Sequence, residues 1–126
     1  MILLIDNYDS FVFNVEQYIR ELTTEEVSVI RNDKITIDEI ISLNPSKIIL
    51  SPGPKHPKDS GICLDILKTL TDFPVLGICL GHQALGFVYG ATIKQLGTPV
   101  HGKTSEITIS NPSVLFKELP EKFNVM

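Results

Sequence analysis

Short apolar runs recur along the chain, each followed by a stretch with helical spacing, and this alternation constrains the fold more than any other feature. The first run, Met1-Ile-Leu-Leu-Ile5, is apolar throughout and ends at Asp6, the pattern of a strand buried on both faces of a parallel sheet. Further strands are predicted at residues 27–30, 47–50 and 74–78. Shorter strands are predicted at Ala91–Leu96, at Ser105–Ile109 and from Phe123 to Met126.

Helices are predicted between these strands, because apolar residues recur there every three or four positions. The predicted N-terminal caps are Asp9 or Ser10, Thr36, and Asp59 or Ser60, with a fourth helix opening near Gly81. Strands that alternate with helices imply right-handed crossovers and an open, mostly parallel sheet with helices on both faces. We therefore predict an α/β fold, although the order of the strands across the sheet cannot be read from this pattern.

Length and charge limit the classes of protein to which the chain can belong. With 126 residues, 43% of them hydrophobic, it can form one domain with a core but not two, so a single domain over residues 1–126 is predicted. The net charge of −4 is spread without a basic stripe, which argues against nucleic acid as a partner. The longest apolar run, Ile2–Ile5, is too short to span a membrane, and the N-terminus lacks the pattern of a signal peptide. We expect a cytoplasmic protein without a membrane partner, in which Cys63 and Cys79 remain thiols.

Three loops of unusual composition follow predicted strands. They are Asp6–Phe11, Ser51–Pro57 and Cys79–Gln83. Because ligands collect at the carboxyl ends of the strands in open parallel sheets, we expect these loops to converge on one site.

The third loop has the pattern of a nucleophile turn. Cys79 lies between a predicted strand and a predicted helix, with Gly77 before it and Gly81 after it. The helix N-terminus favours the thiolate form of such a cysteine, and the backbone N–H of Leu80 would be one oxyanion donor. The alternative, a small buried core residue, fits most free cysteines, but the flanking glycines favour a nucleophile. Cys63 lacks this setting and is interpreted as a core residue.

The segment Pro74-Val-Leu-Gly-Ile-Cys-Leu-Gly-His-Gln83 resembles the nucleophile segment of class I, triad-type glutamine amidotransferases. Asp6-Asn-Tyr-Asp-Ser-Phe11 and Ser51-Pro-Gly-Pro54 narrow the resemblance to the glutaminase components of anthranilate synthase and aminodeoxychorismate (para-aminobenzoate) synthase. His101-Gly-Lys103 is a further match, and the resemblance is collinear from Met1 to that point. It implies the flavodoxin-like fold of that family.

The resemblance also implies an activity. Cys79 would attack the side-chain amide of L-glutamine to give a glutamyl thioester and ammonia, and water would then release glutamate. The backbone N–H groups of Gly53 and Leu80 would form the oxyanion hole, while Gln83 and the Pro52, Gly53 and Pro54 loop would hold the substrate. No metal or organic cofactor is needed for this reaction. Taken alone, the loop fits an ordinary proline-rich turn equally well, and Gln83 fits a surface helix residue.

The resemblance further implies a partner, a chorismate-binding synthase subunit that receives the ammonia. The residues expected to lie near that subunit are Asn7, Tyr8, Ser10, His101, Gly102 and Lys103. For the last three residues, a solvated basic loop remains the alternative. Lys55-His56 stands where anthranilate synthase members commonly have glycine, which favours the aminodeoxychorismate branch, although many such subunits serve both partners.

The catalytic base of the family is a His-x-Glu pair, which takes the thiol proton and protonates the leaving ammonia. The chain has three histidines, His56, His82 and His101, and none is followed two positions later by glutamate. We therefore expect that the C-terminal part of the domain is absent, that this fragment is inactive, and that His82 does not replace the base. Two alternatives stay open, a catalytically dead module that only docks on the synthase, and another cysteine-turn hydrolase.

Overall fold

The computed structural model describes residues 1–98, 100 and 102–126. The chain divides into two compact units, Met1–Ile93 and Lys94–Met126. The strands of the first unit are β1 (Ile2–Asp6), β2 (Val27–Arg31), β3 (Lys47–Leu50) and β4 (Val75–Gly77). Its helices are α1 (Val12–Leu22), α2 (Ile37–Leu43), α3 (Ile62–Thr69) and α4 (Leu80–Val88). The single domain predicted over residues 1–126 stays a prediction.

The first unit is built on a four-stranded sheet in the order β2-β1-β3-β4, with every neighbouring pair parallel. All five residues of β1 are buried, because β1 lies between two other strands and its residues alternate between two covered faces. In β1, Leu4 pairs with Val29 on one side and with Ile49 on the other. The predicted parallel α/β sheet is confirmed, and the structure supplies the strand order that the sequence pattern left open.

Helices cover both faces of this sheet. Leu3 and Ile5 of β1 pack in one core cluster with buried residues of α2, α3 and α4, among them Ile40, Ile66 and Ala84. On the opposite face, Ile2 and Leu4 pack with Val12 of α1. Successive residues of one strand therefore serve two separate cores, which is the two-faced burial expected of a central parallel strand.

The helix N-termini show where the expected caps were right and where they were wrong. Thr36 caps α2 in a reciprocal capping box with Glu39, as its position before the helix predicts. The other two predicted pairs of caps were wrong, because α1 is preceded by Phe11 and α3 by Gly61, neither of which makes a side-chain cap bond. Asp9 accepts the N–H of Phe11 at 2.8 Å, so its carboxylate closes a turn ahead of the helix instead of capping it.

The second unit contains an antiparallel pair, β5 (Ser105–Thr108) and β6 (Lys122–Val125), both of which were predicted as strands. The strand predicted at Ala91–Leu96 was wrong, since this segment has no ladder partner in the described part of the chain. A strand depends on its neighbour for its hydrogen bonds, and apolar alternation alone does not supply one. No helix among the described residues is long and apolar enough to cross a membrane.

Candidate active site

The loops that follow β1, β3 and β4 lie together at the carboxyl edge of the sheet. The backbone N–H of Asn7, after β1, donates to Ser51 Oγ, after β3, at 2.9 Å. A Cβ atom built on Gly53 would lie 2.6 Å from Leu80 Cδ2, which places the second loop against the third. The convergence follows from the parallel strand directions, because all three strands deliver their carboxyl ends to the same edge.

Cys79 occupies a strained turn between β4 and α4. It is the residue that precedes α4, with a φ of 53° and a ψ of −107°, a conformation that few residues other than glycine adopt. Hydrogen bonds on each side hold the turn, since Gly81 N–H donates to Ile78 O at 3.0 Å and Gln83 N–H donates to Cys79 O at 2.9 Å. The side chain of Cys79 is exposed at the helix N-terminus, so it is accessible to a ligand.

The glycines on either side of Cys79 make room for the neighbouring backbone. A Cβ on Gly77 would lie 2.5 Å from the carbonyl carbon of Gly81, and a Cβ on Gly81 would lie 2.4 Å from Leu50 O. Real Cβ atoms do not approach backbone so closely, and backbone cannot move aside as the end of a side chain can. The sharp strand-to-helix turn that presents Cys79 therefore depends on both glycines.

Two backbone amides near Cys79 have no hydrogen-bond acceptor among the described residues. Within the described ranges, neither Gly53 N–H nor Leu80 N–H donates to a protein acceptor. Gly53 lies between Pro52 and Pro54, which have no N–H, so it supplies the only donor of that stretch. Free N–H groups beside a nucleophile at a helix N-terminus can stabilise a developing oxyanion. Their convergence on one oxygen stays a prediction.

Gln83 lies in the first turn of α4, and its backbone N–H donates to Cys79 O at 2.9 Å. Its side chain is half-buried, and its role in holding a substrate stays a prediction. His82, the neighbouring residue, is exposed.

Asn7 forms a buried polar centre beneath these loops that sequence reasoning did not identify. Its side chain is only 3% exposed. Asn7 Nδ2 donates to Ser51 O at 3.0 Å, while Asn7 Oδ1 accepts from Asn32 Nδ2 at 2.9 Å and from Cys63 Sγ at 3.2 Å. The only signal in the sequence was an asparagine directly after a buried strand, and nothing marked Asn32 or Cys63. The placement of Asn7 near a partner stays a prediction.

The two cysteines differ sharply, and neither is in a disulfide. Cys63 is buried on α3, and burial raises its pKa to about 11, with the hydrogen bond to Asn7 opposing the shift. Its thiol is therefore neutral at physiological pH and available as a hydrogen-bond donor. Cys79 is exposed at a helix N-terminus. Only Cys79 has the setting of a nucleophile.

Tyr8 lies at the exposed rim of the site with a positive φ of 63°. Its hydroxyl donates to Asp33 Oδ1 at 2.7 Å, and the guanidinium carbon of Arg31 lies 4.6 Å from its ring centroid. The hydrogen bond to Asp33 raises the pKa of Tyr8. Tyr8 and Ser10 are exposed and accessible to a partner, and their role there stays a prediction.

The remaining predicted partner residues belong to the second unit. Gly102 has a φ of 66° and Lys103 is exposed, while His101 lies outside the described residues. Their contact with a partner stays a prediction.

A cleft of about 260 Å³ opens beside Asn7 and Leu80. Tyr8, Asp33 and Lys55 form its polar wall. In the part of the chain that the structure describes, no group of three or more His, Cys, Asp or Glu side chains is placed to hold a metal ion.

The chain is similar in sequence to known proteins. A family model described as "Glutamine amidotransferase class-I" matches residues 3–126. The chain is 52% identical to anthranilate synthase component 2 of Pyropia yezoensis over 98% of its own length and 65% of the relative. It is 50% identical to aminodeoxychorismate synthase component 2 of Klebsiella aerogenes over 90% of its own length and 61% of the relative. The chain thus spans less than two thirds of the length of these curated relatives.

A solved structure shares the fold. The crystal structure of a protein from Thermoplasma acidophilum, described as one of the subunits of GMP synthase, superposes with a TM-score of 0.76 at 25% identity. The match covers 98% of this chain and 61% of that one.

Proposed function

The chain belongs to the class I glutamine amidotransferase family, and we propose that it carries the nucleophile of a glutaminase that supplies ammonia to a chorismate-using synthase. The observation that carries the proposal is Cys79 itself, an exposed cysteine held at a φ of 53° at the N-terminus of α4 between two glycines. Relatives named for anthranilate synthase and for aminodeoxychorismate synthase match at similar identity, so the proposal leaves the branch open.

The reaction proceeds in two steps. The thiolate of Cys79 attacks the side-chain amide carbon of L-glutamine, and the amide oxygen becomes an oxyanion that accepts hydrogen bonds from the N–H groups of Gly53 and Leu80. Collapse of this intermediate breaks the C–N bond, and the nitrogen leaves as ammonia after taking a proton. Water then attacks the thioester, which releases glutamate and returns Cys79 to its starting state. Gln83 and the Pro52 to Pro54 loop hold the substrate during both steps.

Proton transfer from the Cys79 thiol to the leaving ammonia needs a general base. Cys79, Gly53, Leu80 and Gln83 do not supply one. None of the three histidines is followed two positions later by glutamate, so the His-x-Glu pair of the family has no counterpart in the 126 residues. We therefore propose that the chain by itself does not turn glutamine over. Turnover is therefore a property to measure on the full gene product.

The partner is a component 1 synthase subunit, as the component 2 names of the relatives suggest. The residues proposed to contact this partner are Asn7, Tyr8 and Ser10 of the first unit and His101, Gly102 and Lys103 of the second. A cytoplasmic location is part of this proposal. The ammonia released at Cys79 passes to the chorismate bound by the partner.

The test is glutamate release by the gene product assembled with its synthase partner. Cys79→Ala removes the nucleophile, so turnover should fall by roughly 10⁴-fold or more. Ser42→Ala is a matched control, because Ser42 is an exposed residue of similar size on α2. Equal turnover by wild type and Cys79→Ala would contradict the proposal.

Chemical labelling separates a working site from a docking module. A chloroketone analogue of glutamine should alkylate Cys79 and leave Cys63 unmodified, because Cys63 is buried and its pKa is raised to about 11. Mass spectrometry of the digested protein locates the label. If the analogue leaves Cys79 unmodified while iodoacetamide still alkylates it, the thiol is accessible but glutamine is not bound there, and the docking module is favoured.

A further inference from the structure

Asn7 occupies the interior of the site, where it contacts the loop that carries the Gly53 amide. We propose that Asn7 is a positioning residue of the glutaminase site, whose carboxamide, oriented by Asn32 and Cys63, holds the Gly53 amide in place beside Leu80. This inference rests on the proposed function, because it assigns a task to the oxyanion loop.

Asn7 contacts the loop through both its backbone and its side chain. Its backbone N–H donates to Ser51 Oγ at 2.9 Å, and its Nδ2 donates to Ser51 O at 3.0 Å. Ser51 Oγ in turn donates to Pro52 O at 2.7 Å. These hydrogen bonds link Asn7, which follows β1, to the carbonyl of Pro52. That carbonyl belongs to the same peptide group as the Gly53 N–H. The loop is therefore fixed to a buried central strand.

Close packing of Gly53 against Asn7 and Leu80 also holds the loop in place. A Cβ on Gly53 would lie 2.6 Å from Asn7 Cβ and 2.9 Å from Asn7 O. It would also lie 2.6 Å from Leu80 Cδ2. Asn7 thus lies against Gly53 on one side while Leu80 lies against it on the other. A shift of Asn7 would carry the Gly53 amide with it.

Two donors set the orientation of the Asn7 carboxamide. Oδ1 accepts from Asn32 Nδ2 at 2.9 Å and from Cys63 Sγ at 3.2 Å, so only the NH₂ end is free to face Ser51 O. Asn32 is itself held by a bond from its Nδ2 to Ser60 O at 3.3 Å. The neutral thiol of Cys63 contributes to this orientation, because it is one of the two donors that prevent the Asn7 carboxamide from flipping.

The kinetic consequence follows from the role of an oxyanion donor. Its hydrogen bond strengthens in the transition state, so misplacing it lowers kcat and leaves KM nearly unchanged. A displacement of about 1 Å can cost roughly 10²-fold in rate. A residue needed only for folding would lower the amount of active protein, which also reduces the apparent kcat at constant KM, so kcat is calculated per Cys79 that the chloroketone analogue labels. With this correction, a residue needed only for folding leaves kcat unchanged.

Asn7→Asp is the most informative variant. The carboxylate has nearly the same shape and keeps Oδ1 as the acceptor for Asn32 and Cys63, but its second oxygen faces Ser51 O where Asn7 has an N–H donor. We expect kcat for glutamate release by the gene product with its partner to fall by about 10-fold to 100-fold, with KM changed by less than about 3-fold.

Substitutions of Cys63 provide matched controls for the donor. Cys63→Val fills the buried space without a donor, whereas Cys63→Ser restores a donor in a smaller side chain. We expect kcat to fall several-fold in Cys63→Val and to recover in Cys63→Ser. Equal kcat values in these two variants, or a wild-type kcat in Asn7→Asp, would overturn the inference.

A measurement without turnover separates this inference from the proposed function. The NMR order parameter of the Gly53 N–H should fall in Asn7→Asp relative to wild type, because the loop loses its attachment. If wild type shows no Cys79-dependent turnover, the proposed function is wrong, and the order parameter still decides whether Asn7 holds the loop. An unchanged order parameter would reject the role of Asn7 in either case.

Discussion

The two ends of the parallel sheet are held by polar clusters of opposite character. At the carboxyl end lies the Asn7 cluster (Asn7, Asn32, Ser51 and Cys63), which is largely buried and formally uncharged. At the amino end lies the Glu25 cluster (Met1, Glu25, Ser46 and Lys47), in which one carboxylate accepts bonds from an α-amine, a hydroxyl and an ammonium group.

The two clusters differ in the part of the fold that they hold and in how pH and salt affect their hydrogen bonds. Buried neutral groups fix a loop with directional bonds that neither pH near neutrality nor salt disturbs, because nothing in them changes charge. The charged groups of the Glu25 cluster are partly exposed and join strand ends, and their attraction is screened by ions. The carboxyl end therefore has the properties needed for precise placement of a reacting group, whereas the cluster at the amino end ties strand ends together.

The largest expected effect concerns the loop that the Asn7 cluster holds. Gly53→Ala would place a Cβ 2.6 Å from both Asn7 Cβ and Leu80 Cδ2, so the loop must move and its amide with it. We expect kcat for glutamate release to fall by roughly 10²-fold to 10³-fold, the effect of losing one oxyanion donor.

Gly97→Ala is the matched control for this substitution, because a Cβ there meets nothing within 4 Å. Its kcat should equal that of wild type in the same assay. A Gly53→Ala protein with wild-type kcat would show that the loop at the carboxyl end is not the rigid element described above.

A smaller effect is expected from Asn32→Ala, measured as the free energy of unfolding in urea. The substitution removes the bonds from Asn32 Nδ2 to Asn7 Oδ1 and to Ser60 O. We expect a loss of about 1–2 kcal/mol that is the same at low and high salt, because no charge is involved.

Asn14→Ala controls for the loss of an asparagine. Asn14 is exposed on α1, where alanine is a better helix former, so stability should stay the same or rise slightly. Equal losses in the two variants would contradict the special role of the buried cluster.

The smallest effect is expected at the amino end, from Glu25→Gln. Hydrogen bonds from Ser46, Lys47 and the N-terminal amine lower the pKa of Glu25 from 4.5 to about 2. A carboxylate whose pKa is lowered by folding stabilises the protein above its unfolded pKa, and this contribution is lost as the pH falls through the folded pKa. The stability difference between wild type and Glu25→Gln should therefore shrink between pH 4.5 and about 2, and also in 1 M NaCl, where exposed charges are screened.

Thermal unfolding across that pH range measures the difference, with Glu26→Gln as the adjacent exposed control. Glu26→Gln should track wild type at every pH. A Glu25→Gln effect that persists unchanged at pH 2 would show that the cluster is not held by charge.

Much of the fold follows from the sequence because the apolar runs are strongly patterned. A run such as Ile2–Ile5 is short and apolar throughout, which favours a strand covered on both faces, and the loops after parallel strands meet at one edge of the sheet. Strand order was not accessible, since every strand of the parallel sheet has a similar composition. The segment Ala91–Leu96 was misjudged because its pattern fits a strand while its partner strand is a matter of tertiary structure.

The site was predictable only where local backbone geometry determines residue type. Gly77 is required by the turn itself, because a Cβ there would meet the backbone of Gly81 and His82, whereas Gly81 makes room for Leu50 on the neighbouring strand. Asn7 and Cys63 are 56 positions apart, so the hydrogen bond between them depends on packing that no local pattern reports. Cys63 was interpreted as a core residue, and its burial agrees with that interpretation while its donor role was missed.

The backbone conformation of Cys79 has an evolutionary consequence. At a φ of 53°, a cysteine costs of order 1–3 kcal/mol that glycine would not. Selection for folding alone would therefore tend to replace this cysteine, and a copy of the gene freed from its chemical task could lose it and become more stable. Under the proposed function, a cysteine retained at this position is kept for its chemistry.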